Sequence, residues 1–109
     1  MASEVVQDVV AERCRQDEKW GWPKPFPTIG RPGEDSETLK IINLSIEIEM
    51  RAREIQNSCA SSWCSIAAEE FGEVMRALLA RDPVALRLEL IQLAAVCCAW
   101  AQAIDERLT

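Results

Sequence analysis

Residues 61–107 read SSWCSIAAEEFGEVMRALLARDPVALRLELIQLAAVCCAWAQAIDER. Apolar residues recur there at helical spacing on both sides of Arg81-Asp82-Pro83, and no strand-like alternation competes with them. Ser61 or Ser62 caps a third helix that runs to about Arg81. Asp82 is an N-cap and Pro83 takes the first helical position of a fourth helix, which continues to about Arg107. With so tight a turn between them, the two helices are expected to form an antiparallel hairpin.

Upstream, a second helix is expected from near Ser36 to near Asn57, with Leu39, Ile42, Ile46 and Met50 along one side. A first helix runs from about Ser3, a good N-cap, to about Lys19, with Val5, Val6, Val9 and Val10 as its stripe. Between them, Trp20 to Asp35 reads WGWPKPFPTIGRPGED and concentrates proline and glycine. A loop this long in a small domain is functional or a lid more often than idle, and its aromatic and basic residues suit stacking on a base and touching phosphates. The fold class is therefore all-α, a single domain over residues 1–109 with four helices and a long Pro-rich loop between helices one and two.

Composition agrees with a folded chain and narrows its partners. The 109 residues are 49% hydrophobic and 28% charged, an ordinary globular balance. A formal net charge of -6 argues against a nucleic-acid duplex, which needs a basic face. Five cysteines, odd in number and without CxxC spacing, read as reduced thiols packed as small apolar residues; zinc is disfavoured by scattered thiols and no histidine. The N-terminus carries acids where a signal peptide carries bases, and the uncharged run from Leu90 to Ile104 is short for a bilayer span. A soluble cytoplasmic protein without a membrane partner is the expectation.

The acidic residues point to chemistry. Placed at 100° intervals, Leu86, Leu90, Leu93, Cys97, Trp100 and Ile104 form the stripe of the fourth helix, with Glu89 at its edge and Gln92 one step along that flank. On the third helix the apolar arc is Trp63, Ala67, Phe71, Val74 and Leu78; Glu70 falls inside it, Glu73 at its border and Glu69 further out. Phe71 and Trp100 are assigned to the core, and Gly72 to close helix packing. Counted from Asp82, Glu73 is nine residues back while Glu89 and Gln92 are seven and ten forward, so the three lie at similar heights with Glu70 one turn away. A carboxylate within an apolar stripe is costly to ionise unless it is paired or bound to a cation. Oxygen ligands without His or Cys suit Mg²⁺ or Mn²⁺, which keep waters and bridge phosphates. The competing reading is a solvated helix face whose acids pair with Arg76 and Arg87.

Glu69-Glu70-Phe71-Gly72-Glu73, fifteen residues, then Glu89-Leu90-Ile91-Gln92 resembles the EExxE…ExxD signature of the MazG-like all-α NTP pyrophosphatase superfamily. RQDEKWG near the N-terminus and the run from Asp82 to Arg107 resemble short MazG-like proteins of bacteria and phages. The resemblance implies a four-helix MazG-like bundle completed by oligomerisation, as a homodimer or a dimer of dimers. It implies hydrolysis of a nucleoside triphosphate to the monophosphate and pyrophosphate, as in nucleotide-pool cleaning, with Glu70, Glu73, Glu89 and Gln92 holding Mg²⁺ or Mn²⁺. Gln92 departs from the pattern, offering a neutral amide where the signature has an acid. Glu69 is the candidate water-orienting base, with a surface salt bridge as the alternative. Lys19, Arg51 and Arg53 are candidate phosphate contacts, and Trp20 and Trp63 candidate base contacts, against simple surface charge and packing roles. The alternative function is a catalytically weak or inactive MazG-like module that binds nucleotides or a protein partner.

Overall fold

The computed structural model describes residues 2–21, 36–58 and 60–108. The Pro-rich stretch with its lid reading, and Cys59, lie outside the described residues. The described chain is all-α: α1 (Ala2–Trp20), α2 (Ser36–Asn57), α3 (Trp63–Ala80) and α4 (Pro83–Leu108), with no strand among the described residues. It divides into two compact units, Met1–Thr28 with Cys98–Thr109, and Ile29–Cys97.

In the first unit α1 ends on Gly21, whose φ of 78 is left-handed and whose N–H donates to the Asp17 carbonyl at 2.8 Å. This is the αL stop, in which a glycine past the helix end satisfies an orphan carbonyl. Of the valine stripe Val5 is buried, whereas Val6, Val9 and Val10 are exposed.

The second unit holds α2, α3 and the first turns of α4, and its helix ends follow local chemistry. Ser62 caps α3: its side chain accepts from the Ser65 N–H at 3.1 Å, and the Ser65 hydroxyl accepts from the Ser62 N–H at 2.9 Å. Arg81, left-handed at φ 57, closes α3 by donating to Leu78 while the Asp82 N–H donates to Ala77. Asp82 then caps α4, its Oδ1 accepting from the Ala85 N–H at 3.1 Å, with Pro83 first in the helix.

Two buried surfaces meet on α3. Val74 and Ala77 pack with Leu86 of α4, flanked by Met75, Leu78, Ala85 and Leu93. On the other side α2 lies along α3, and its buried face is Ile42, Ser45, Glu49 and Ala52. Gly72 makes this approach possible: a Cβ there would sit 2.2 Å from the Glu49 Cβ and 2.6 Å from its Cγ.

The inner faces differ from the expected stripes. Met50 is 55% exposed, because small residues and a carboxylate take the face of α2 that meets Gly72. Phe71, assigned to the core, is 42% exposed and lies outside the buried cluster of Val74, Ala77 and Leu86. Leu90, Cys97 and Ile104 are likewise exposed on α4, and Trp100 is half-buried. Cys14, Cys64 and Cys97 are free and exposed and Cys98 is free and half-buried, so the first three are not core residues. By length and composition alone α4 is long and apolar enough to cross a membrane, since its low-charge portion extends beyond Leu90–Ile104.

Candidate functional site

The chemistry-bearing residues of the second unit gather where α2, α3 and α4 supply acids and arginines to one neighbourhood. Glu49 of α2 is fully buried. Its Oε2 accepts from Arg53 Nε at 2.7 Å, one turn along α2, and its Oε1 from Arg76 Nε of α3 at 2.5 Å. Burial pushes the Glu49 carboxyl up, but the hydrogen bonds and charges of Arg76 and Arg53 outweigh it and hold the group below the ordinary carboxylate range. The hydrogen bond to Glu49 in turn holds the Arg53 guanidinium above its ordinary value.

Arg53 also carries the link to the acidic motif, since its Nη2 donates to Glu73 Oε1. Glu69 is likewise engaged, its Oε2 accepting from Gln56 Nε2 of α2. Glu70 and Glu89 are different. One oxygen of each, Glu70 Oε2 and Glu89 Oε2, is buried and accepts no hydrogen bond among the described residues. The Glu70 carboxyl is pushed up by burial first and then by the negative charges of Glu89, Glu73 and Glu69, with Arg53 a weaker opposing influence.

Glu70 and Glu89 are thus electrostatic neighbours across α3 and α4, with Glu73 and Glu69 close to the same field. Gln92 is exposed. Arg51 lies with Glu47, Met50 and Glu54 along a shallow recess of α2, and its two-residue offset from Arg53 turns it to another face. Trp63 opens α3 two turns before Glu70, about 10 Å along the axis, and is 37% exposed. Lys19 and Trp20 belong to the first unit, where the Lys19 ammonium sits 5.5 Å from the Trp20 ring centroid.

An oxygen-ligated divalent cation suits the donor set of Glu70 and Glu89. Two buried carboxylate oxygens without donors are what a hard cation with retained waters satisfies. Among the described residues no group of three or more His, Cys, Asp or Glu is gathered in ion-holding geometry, and Glu73 is occupied by Arg53.

Sequence reasoning overlooked Glu49, Gln56 and the part played by Arg76. A signal for Glu49 existed: it stands with Ile42, Ser45 and Ala52 at helical spacing, a face that small residues make easy to overlook. No family model matches the chain, and neither the curated proteins nor the solved structures contain a significant match to it.

Proposed function

We propose that the protein is a Mg²⁺- or Mn²⁺-dependent nucleoside triphosphate pyrophosphohydrolase, releasing the monophosphate and pyrophosphate. The observation that carries the reading is the pair of buried, unpartnered oxygens on Glu70 and Glu89. Leaving two carboxylate oxygens buried without donors costs stability, and a divalent cation is the simplest group that offsets that cost. The MazG-like resemblance of the same two glutamates supplies the reaction class.

In this reading Glu70 and Glu89 would be the principal oxygen ligands, with Glu73, paired with Arg53 in the structure, and the Gln92 amide as further oxygen donors. The bound cation supplies charge neutralisation of the triphosphate and Lewis acidity at the phosphoryl oxygens. Glu69, held by the Gln56 amide, would orient a water that donates a hydrogen bond to its carboxylate. Arg53 contributes positive charge at the edge of the acids. A homodimer or dimer of dimers in the cytoplasm completes the proposal.

The test is incubation of the purified protein with each common NTP and dNTP and Mg²⁺ or Mn²⁺, resolving monophosphate, diphosphate and pyrophosphate, with Glu70→Ala as control. Monophosphate and pyrophosphate formed by the native chain and reduced at least 100-fold in Glu70→Ala, on the order expected for losing a metal ligand, support the enzyme. No product, together with a nucleotide-dependent rise in melting temperature, favours the binding module. The exposed Gln92 and the Arg53-paired Glu73 are the features that would then explain the lost chemistry.

A further inference from the structure

The most completely buried charged group in the second unit, Glu49, has no part in the chemistry above. Both of its oxygens are spent on guanidiniums, and both arginines are gripped at Nε. Yet the side chains of Arg53 and Arg76 remain 47% and 48% exposed. A guanidinium presents five donors in a rigid fork, so a grip at Nε leaves its Nη groups for other acceptors. One of them, Arg53 Nη2, already reaches an acidic oxygen, that of Glu73.

We propose that Glu49 is a positioning residue that racks Arg53 and Arg76 side by side as a two-guanidinium receptor for phosphate groups at the edge of the carboxylates. The inference rests on the phosphohydrolase reading and adds to it how the phosphates of the substrate are recognised. One carboxylate holds both arginines, which makes them neighbours although they come from different helices. Planar forks are suited to bidentate phosphate contacts, and forks already held in place lose less conformational freedom on binding than free surface arginines. A chain of net charge -6 needs such a local cationic device to accept a polyanion. Coulomb's law by itself gives Glu49 the wrong sign for this task, because its negative charge opposes a nearby anion. Its contribution is therefore order, and that makes it separable from charge by experiment.

Inorganic triphosphate is the probe, titrated calorimetrically into the full chain with and without Mg²⁺, and Mn²⁺ alone is titrated in parallel. Removing a negative charge by Glu49→Gln strengthens anion binding if charge alone matters, and weakens it if the rack matters. The expected result is weakening of at least about tenfold in Glu49→Gln, and a similar loss in Arg53→Lys and Arg76→Lys, which keep the charge but not the fork. Native or tighter affinity in Glu49→Gln, or native affinity in both lysine variants, overturns the proposal. Should circular dichroism show Glu49→Gln unfolded, the lysine variants decide, since both arginines are half exposed. The cation reading fails separately, if Mn²⁺ does not bind or binds Glu70→Ala as well as native. The metal-free triphosphate titration still reports on the rack in that event.

Discussion

Glu49 and Glu70 are both carboxyls withdrawn from water, and their neighbours push them in opposite directions. Glu49 ionises more readily in the folded chain than at its ordinary value of 4.5, so its pairing contributes in full above that pH and is lost as the pH falls through its lower native value. Glu70 is raised, so the unfolded chain ionises first as the pH climbs past 4.5 and the group costs stability from there to neutrality. Glu70→Gln places an amide donor among acceptors, and at pH 7 without metal it is expected to raise the melting temperature by about 4–8 °C, roughly 1 kcal/mol. Glu49→Gln is expected to cost about 1–3 kcal/mol at pH 7, less than a fully buried pair because both arginines reach solvent. Its deficit shrinks as the pH falls from 4.5, where the unfolded chain takes up its proton, through the lower native value of Glu49. Melting curves of the three proteins between pH 3.5 and 7 check both signs.

At the scale of elements, the contact of α2 with α3 turns on Gly72. Helix propensity alone favours alanine there by about 1 kcal/mol. The added Cβ would meet the Cβ and Cγ of Glu49, which sit at the root of a fully buried side chain and cannot swing aside. Gly72→Ala is therefore expected to lose about 1–2 kcal/mol net, with overpacking outweighing propensity, as a lower midpoint in urea with little change in slope. The same contact explains what was legible beforehand. Helix number, the Ser62 cap, the Asp82-Pro83 start and the inward bias of Glu70 follow from local rules, and each is found. The contact face of α2 was not legible, because Ser45, Glu49 and Ala52 carry little apolar signal while exposed Ile41, Leu44 and Ile48 carry a strong one. Arg53 reads from sequence as a candidate phosphate contact or a simple surface charge, but its tie to Glu73, and the sharing of Glu49 with Arg76, depend on how closely two helices approach, which Gly72 alone does not specify.

At the scale of the molecule, long apolar side chains of α2 and α4 stay exposed among the described residues. Val84, Leu88, Leu90 and Ile91 of α4, and Ile41, Leu44 and Ile48 of α2, are all exposed. Such residues are what the proposed association would cover. The association proposed above predicts a sedimenting mass at least twice that of the chain at micromolar concentration, and a melting temperature that rises with protein concentration. A monomer that instead floats with lipid vesicles would assign the surface of α4 to a bilayer. The Gly72 contact also sets rules for length. Because one missing Cβ keys α2 to α3, a residue inserted between Glu49 and Arg53, or between Gly72 and Arg76, turns its helix by about 100° and separates the arginines from their shared carboxylate. Chains of the same design are therefore expected to hold those two helical intervals constant, whatever else in their sequences drifts.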